Sequence, residues 1–141
     1  MQIRLVADVF LRADDEVLLV RYAHPEKYDG QRGWFLPDDF LAHGEHPADA
    51  AKRILADQLG LVDVDVRLDH IELLDGDDWH LIFHFRAELP RVGSVHASAD
   101  VAEARWFALQ NLPSRDEVAH DGWALDLIAA MNAVPQGEPS R

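Results

Sequence analysis

The sequence predicts an α+β domain in which a mixed β-sheet packs between helices, an α/β/α sandwich. Three observations carry this. Strand-like, helical, strand-like and helical segments follow one another along 141 residues. Turn residues sit between neighbouring strand-like runs and join them as hairpins. Two stretches, one starting at Pro47 and one late in the chain, place apolar residues at helical spacing.

Taken in order, Gln2 to Arg12 and Glu16 to Tyr22 alternate as strands, with Ala13, Asp14 and Asp15 as the turn between them. Ala23 to Gly33 is polar, carries Pro and Gly, and reads as a loop. Trp34 to Leu36 is a short strand, followed by an acidic, irregular connection to Glu45. Pro47 suits the first turn of a helix, where its missing N–H costs nothing. That helix runs to Leu59, with Gly60 as its stop. Val62 to Leu74 and Trp79 to Leu89 are the next strands, joined by a tight turn centred on Gly76 and Asp77. Pro90 to Asp100 is a loop and Ala102 to Ala108 a strand. The last helix spans about Asp116 to Ala133, with Val118, Trp123, Ala124, Leu127 and Ile128 on its apolar stripe. Residues 1–134 form a single domain without internal repeats, and 135–141 read as a flexible C-terminal tail.

Composition narrows the function classes. The 26 Asp and Glu outnumber the 13 Lys and Arg, a formal net charge of −13. Such a field repels nucleic-acid backbones and anionic lipid, so neither is an expected partner. Any phosphate-bearing molecule needs a cation or a local basic group to approach. The chain has no cysteine, which excludes disulfides, thiolate metal sites and a cysteine nucleophile. No apolar run reaches membrane-spanning length, and a strand pattern stands where a signal peptide would be, so a cytoplasmic location is expected.

From Trp34 to Leu61 the chain carries Trp34, Pro37, Glu45, Arg53, Leu55, Gly60 and Leu61 at a fixed spacing. That spacing resembles the Nudix hydrolase box, GX5EX7REUXEEXGU, where U is a bulky aliphatic residue. Glu103, Trp106, Phe107, Leu112 and Pro113 also resemble a stretch common in that family, so the likeness covers nearly the whole chain. It implies the Nudix fold and hydrolysis of a nucleoside diphosphate linked to another group, with Mg²⁺ or Mn²⁺ as cofactor. The same likeness implies a small nucleotide-like ligand and leaves room for a homodimer.

The departures lie where that chemistry would occur. Asp39 replaces the opening glycine of the box, and Asp38 the residue before it. Positions 54, 57 and 58 share one helix face, at which the family presents three metal-binding glutamates. Here they are Ile54, Asp57 and Gln58. Ile54 cannot ligate, Gln58 offers a neutral amide oxygen, and Asp57 is one methylene short. The metal site is therefore expected to be weakened or rearranged. If the protein is active, the resemblance points to Asp57 as the remaining ligand, with Asp38 and Asp39 as substitutes. Glu103 is then the candidate base, and Glu45 with Arg53 form the structural ion pair of the box. An alternative is a catalytically inactive Nudix domain that binds a nucleotide or a protein. Asp38 and Asp39 also suit an ordinary solvated turn, and Arg53 an i, i+4 pair with Asp49.

Lys27, Tyr28, Arg32 and Trp34 stand before the box, where a base could stack and a phosphate be held. Histidine supplies the other candidate cluster. A turn centred on Gly76 and Asp77 gathers His80, His84 and Asp69 on one face and puts His70 on the other. Hydrogen-bonded or solvated strand side chains are the ordinary explanation of that trio. His43 and His46 flank Glu45 on a surface loop.

Overall fold

Strand β1 (Ile3–Ala13) buries both of its faces at its centre: Ala7, Val9 and Leu11 on one side, Asp8 and Phe10 on the other. A strand buried on both faces belongs in the middle of a sheet. The computed structural model, which describes residues 2–28 and 30–133, places it there. β2 (Glu16–Tyr22), β3 (Asp38–Phe40), β4 (Arg67–Asp75), β5 (Trp79–Leu89) and β6 (Val101–Ala108) complete a mixed sheet of order β4-β5-β1-β2-β6, with β3 on β1. β1 and β5 run parallel; the other pairings are antiparallel.

Helix α1 (Pro47–Leu59) covers one face, where Ala50, Ala51, Ile54, Leu55 and Leu59 pack on Ala7, Val9, Leu11, Leu18 and Val20. Helix α2 (Ala119–Asn132) covers the opposite face, where Ala124, Leu127, Ile128 and Met131 meet Phe10, Val17 and Leu19. This is the α/β/α arrangement expected from the order of elements. α1 also has its expected bounds: His46 Nδ1 accepts from the Ala48 N–H at 3.0 Å, and Gly60 ends the helix at φ +71°. Residues 135–141, read as a tail, lie outside the described residues.

Three local expectations are corrected. The strand placed at Trp34–Leu36 is reduced to isolated bridges, and regular pairing falls on Asp38–Phe40 instead. Pro37 explains the shift: it has no N–H for a ladder, although its carbonyl accepts from the Val9 N–H at 3.0 Å. The segment thereby wedges between β1 and β2, which pair with each other only beside their turn. The β4–β5 turn holds three residues rather than two, because Asp75 pairs with Trp79. A one-residue slip of register exchanges the faces of a strand. Finally, α2 begins at Ala119, after a 3₁₀ turn (Arg115–Glu117) capped by Ser114. His120, Asp121 and Gly122 then take left-handed conformations before the helix proper.

Gly33 holds the entry to the wedge. Its φ is +101°, and a Cβ there would lie 2.6 Å from the Glu117 carbonyl oxygen, so only glycine fits without backbone movement. The Trp34 N–H donates to that same carbonyl at 3.0 Å, tying the wedge to the start of α2.

Candidate functional site

The loop before α1 is clamped by Arg53. Its Nε and Nη2 donate to the two oxygens of Glu45 at 2.8 and 3.0 Å, Nη1 donates to Asp39 at 3.0 Å, and Nη2 also reaches the Phe40 carbonyl at 2.9 Å. A planar guanidinium can satisfy such a set, whereas an ammonium cannot. The hydrogen bond from Arg53 holds the Glu45 carboxyl below its usual range. Glu45 also accepts from the Ala42 N–H at 2.8 Å. The i, i+4 alternative with Asp49 is not the arrangement found: Arg53 spends its donors on the loop.

One helical turn further, Gln58 faces inward and is 6% exposed. Its Oε1 accepts from the Tyr22 hydroxyl at 2.9 Å, and its Nε2 donates to the Asp38 carbonyl at 2.8 Å. The Asp38 N–H donates to the Tyr22 oxygen at 2.9 Å. Burial pushes the Tyr22 hydroxyl well above the usual tyrosine range, so it remains a neutral donor. Gln58, Tyr22 and the Asp38 backbone thus form a closed neutral network. A carboxylate at position 58 could not donate to the Asp38 carbonyl.

The fit of a divalent cation to this helix face can be tested directly. Ile54 is fully buried in the α1 core. Gln58 is committed to neutral partners, and Asp39 to Arg53. Asp57 is exposed on the outer side of α1. Hard cations take several oxygen ligands, carboxylates above all. One exposed carboxylate beside an apolar side chain and an engaged amide does not fit Mg²⁺ or Mn²⁺.

On the other side of Asp38 and Asp39 lies a cavity of about 350 Å³. Its floor is the sheet, through Val6, Ile82, His80 and Leu74; its walls include Tyr28, Phe35, Phe40, His120 and Trp123. Lys27 is the one Lys or Arg among the described residues that line it. Tyr28 stacks on Tyr22 with ring centroids 3.8 Å apart, which couples the wall to the neutral network. His120 holds a φ of +53° there. Two consecutive non-glycine residues in the left-handed region cost about 1–2 kcal/mol each, and such strain concentrates at ligand sites. The His120 N–H donates to Gln31 at 2.8 Å, fixing that turn over the cavity.

The residues singled out from sequence therefore separate into groups. Lys27, Tyr28, Asp38 and Asp39 meet at the cavity. Arg32 and Glu103 line a different cleft with Arg21. Both Glu103 oxygens face guanidinium groups, Arg105 at 2.6 Å and Arg21 at 3.7 Å. Trp34 is 5% exposed and packs edge-on against Phe107 in the α2 core. Phe35, Phe40, His120 and Trp123 line the cavity but carried no binding signal in the sequence, and His80, weighed there only as a member of the histidine cluster, lines it too. The one available hint was the Asp121-Gly122 pair, a turn dipeptide inside a helical pattern.

A NUDIX domain model matches residues 2–127. The chain belongs to the Nudix family. Solved structures agree in fold. A Nudix hydrolase from M. smegmatis, RenU, superposes with a TM-score of 0.75 at 23% identity, over 99% of this chain and 92% of that one. A C. elegans Ap4A hydrolase in a binary complex gives 0.65 at 17% identity, over 92% and 98%. A bifunctional NMN adenylyltransferase/ADP ribose pyrophosphatase from Francisella tularensis, complexed with AMP and a Mn ion, gives 0.62 at 20% identity, over 93% and 42%. No curated protein matches by sequence. Among the described residues no helix is long and apolar enough to cross a membrane.

The histidine trio expected from sequence is corrected. With the three-residue turn, His70 pairs with His84, and a bulge between Leu68 and His70 puts Asp69 beside Arg86 instead. Glu72, not His80, bonds to His84, at 2.8 Å.

Proposed function

We propose that this Nudix domain binds a nucleotide-like molecule in the aromatic cavity, and that hydrolysis of a diphosphate there is slow or absent. One observation carries the reading. The α1 face that meets the cavity at Asp38 is occupied by a neutral Gln58–Tyr22–backbone network rather than by carboxylates. An aromatic wall suits a base, and Lys27 at the rim suits a phosphate. Without bound cations on α1, the charge that develops during phosphoryl transfer has no strong partner there. Relatives of the fold that bind AMP or act on ADP-ribose or Ap4A make a nucleoside with a short phosphate chain the reasonable ligand class.

The test is calorimetry and thermal shift with AMP, ADP-ribose and a dinucleoside polyphosphate, each with and without Mn²⁺, alongside phosphate release. Saturable binding that needs no metal, with little turnover, supports the reading. Turnover at about 1–10³ per second, the ordinary enzyme range, would overturn it if Asp57→Ala abolished it. A second reading, residual Mn²⁺-dependent hydrolysis, rests on Asp38 and Asp39 both lining the cavity. It predicts low turnover that is lost in Asp38→Asn and retained in Asp57→Asn.

A further inference from the structure

We propose that His70, Glu72 and His84 form a transition-metal site of the Zn²⁺ class on the α2 face of the sheet, on the opposite side from the Nudix helix. One ligand atom from each of the three residues lies within 4.8 Å of the others. The closest pair is His84 Nε2 and Glu72 Oε1, at 2.8 Å. Tetrahedral Zn²⁺ with bonds of about 2.0–2.1 Å needs ligand separations of about 3.3 Å. Binding therefore requires the 2.8 Å pair to open and the wider separations, up to 4.8 Å, to close through side-chain torsions of the partly exposed His70 and Glu72.

The surroundings of the two rings carry the inference further than proximity does. His84 Nδ1 bonds to Asp8 at 2.7 Å, and His70 Nδ1 bonds to Asp69 at 2.6 Å. A carboxylate on Nδ1 fixes the proton there and leaves Nε2 with the lone pair, the usual arrangement behind metal-binding histidines. The same device appears on both rings. Each supporting carboxylate is itself anchored: Asp8 is 2% exposed within β1, and Asp69 accepts from Arg86 Nε at 2.7 Å. The β4 bulge makes this possible, because it turns Asp69 and His70 to the same face, where regular alternation would oppose them.

Chemistry selects the ion. Two imidazoles and one carboxylate suit Zn²⁺ and its neighbours in the transition series rather than Mg²⁺ or Ca²⁺. A cation bound at His84 Nε2 replaces its contact with Glu72, and any proton held between the two leaves to solvent. The His70 and Glu72 side chains are 42% and 30% exposed, so the ion has a path in and a fourth position for water.

The test is titration of the whole protein with Co²⁺ and no other divalent ion, read by its visible absorption. Expected is one equivalent with the intense bands of tetrahedral coordination, bleached by Zn²⁺. Glu72→Gln and His70→Asn should each weaken binding at least tenfold, while His24→Ala, on an exposed loop, should not change it. Zn²⁺ should raise the melting temperature of the wild type and of His24→Ala but not of the other two variants. That readout, with circular dichroism of each metal-free variant, separates lost ligation from lost folding. No Co²⁺ absorption in the wild type, or equal affinity in Glu72→Gln and His70→Asn, overturns the proposal.

Discussion

Replacing Gln58 with glutamate would restore one carboxylate of the family's box, and the structure indicates that the protein would resist it. Gln58 Nε2 donates to the Asp38 carbonyl at 2.8 Å from a position only 6% exposed. In Gln58→Glu that donor becomes an oxygen facing an oxygen. The lost hydrogen bond costs about 1 kcal/mol, and the single Tyr22 O–H, which also lies 3.1 Å from the Asp38 carbonyl, is left to serve two buried acceptors, which costs about 1–3 more, so the total is about 2–4 kcal/mol at neutral pH. With a urea slope of about 2 kcal/mol per molar for a domain of this size, the unfolding midpoint falls by about 1–2 M. The sign with pH is fixed. Burial raises the folded-state pKa of the new carboxyl, so the penalty is present above that pKa and shrinks as pH falls through it. Once protonated, its O–H donates to Asp38 again. Urea unfolding at neutral and acid pH, without divalent ions, measures both effects. A variant as stable as wild type at neutral pH, or one whose loss grows on acidification, would refute the closed neutral network.

Other outcomes follow from the same contacts. Arg53→Met strands Glu45 and Asp39 without their cation and should cost about 2–3 kcal/mol, discounted from fully buried pairs because Arg53 is 30% exposed; urea unfolding reads it. Arg53 lowers the Glu45 pKa, so the pair stabilises above about 4.5, the ordinary value, and that contribution is lost as pH falls through the folded-state value. Glu45→Gln should therefore flatten the acid limb of a stability-versus-pH curve. Gly33→Ala should destabilise by about 2 kcal/mol or more, because its Cβ meets the Glu117 backbone at 2.6 Å with φ at +101°; thermal melting checks this. Tyr28→Ala should weaken binding of a nucleotide-like ligand about tenfold, equivalent to about 1.4 kcal/mol, as measured by calorimetry.

Much of this was legible in the residues themselves. α1 announced both ends, because Pro47 and Gly60 act through local backbone geometry that no distant contact needs to supply. The Glu45–Arg53 pair followed from the resemblance to the Nudix box, whereas spacing alone left Arg53 as free to pair with Asp49. The inward role of Gln58 was less visible. An amide on a helix says nothing of whether it meets metal, solvent or a carbonyl until Tyr22 and Asp38 are in place. Register was the weakest inference. Gly76-Asp77 suggested a two-residue turn, and one further residue in it moved His70 to the face of His84. The cavity was almost invisible, because Phe35, His80, His120 and Trp123 come from separated segments and look like ordinary core or surface residues one at a time.

Crystals soaked in Mn²⁺ together with a nucleoside diphosphate give the sharpest decision. Anomalous density should be absent along α1 at Asp57 and Gln58, while the nucleotide occupies the cavity bounded by Tyr28 and Trp123. A manganese ion held between Asp57 and Asp38, touching the ligand's phosphates, would contradict a helix face built for neutral hydrogen bonds.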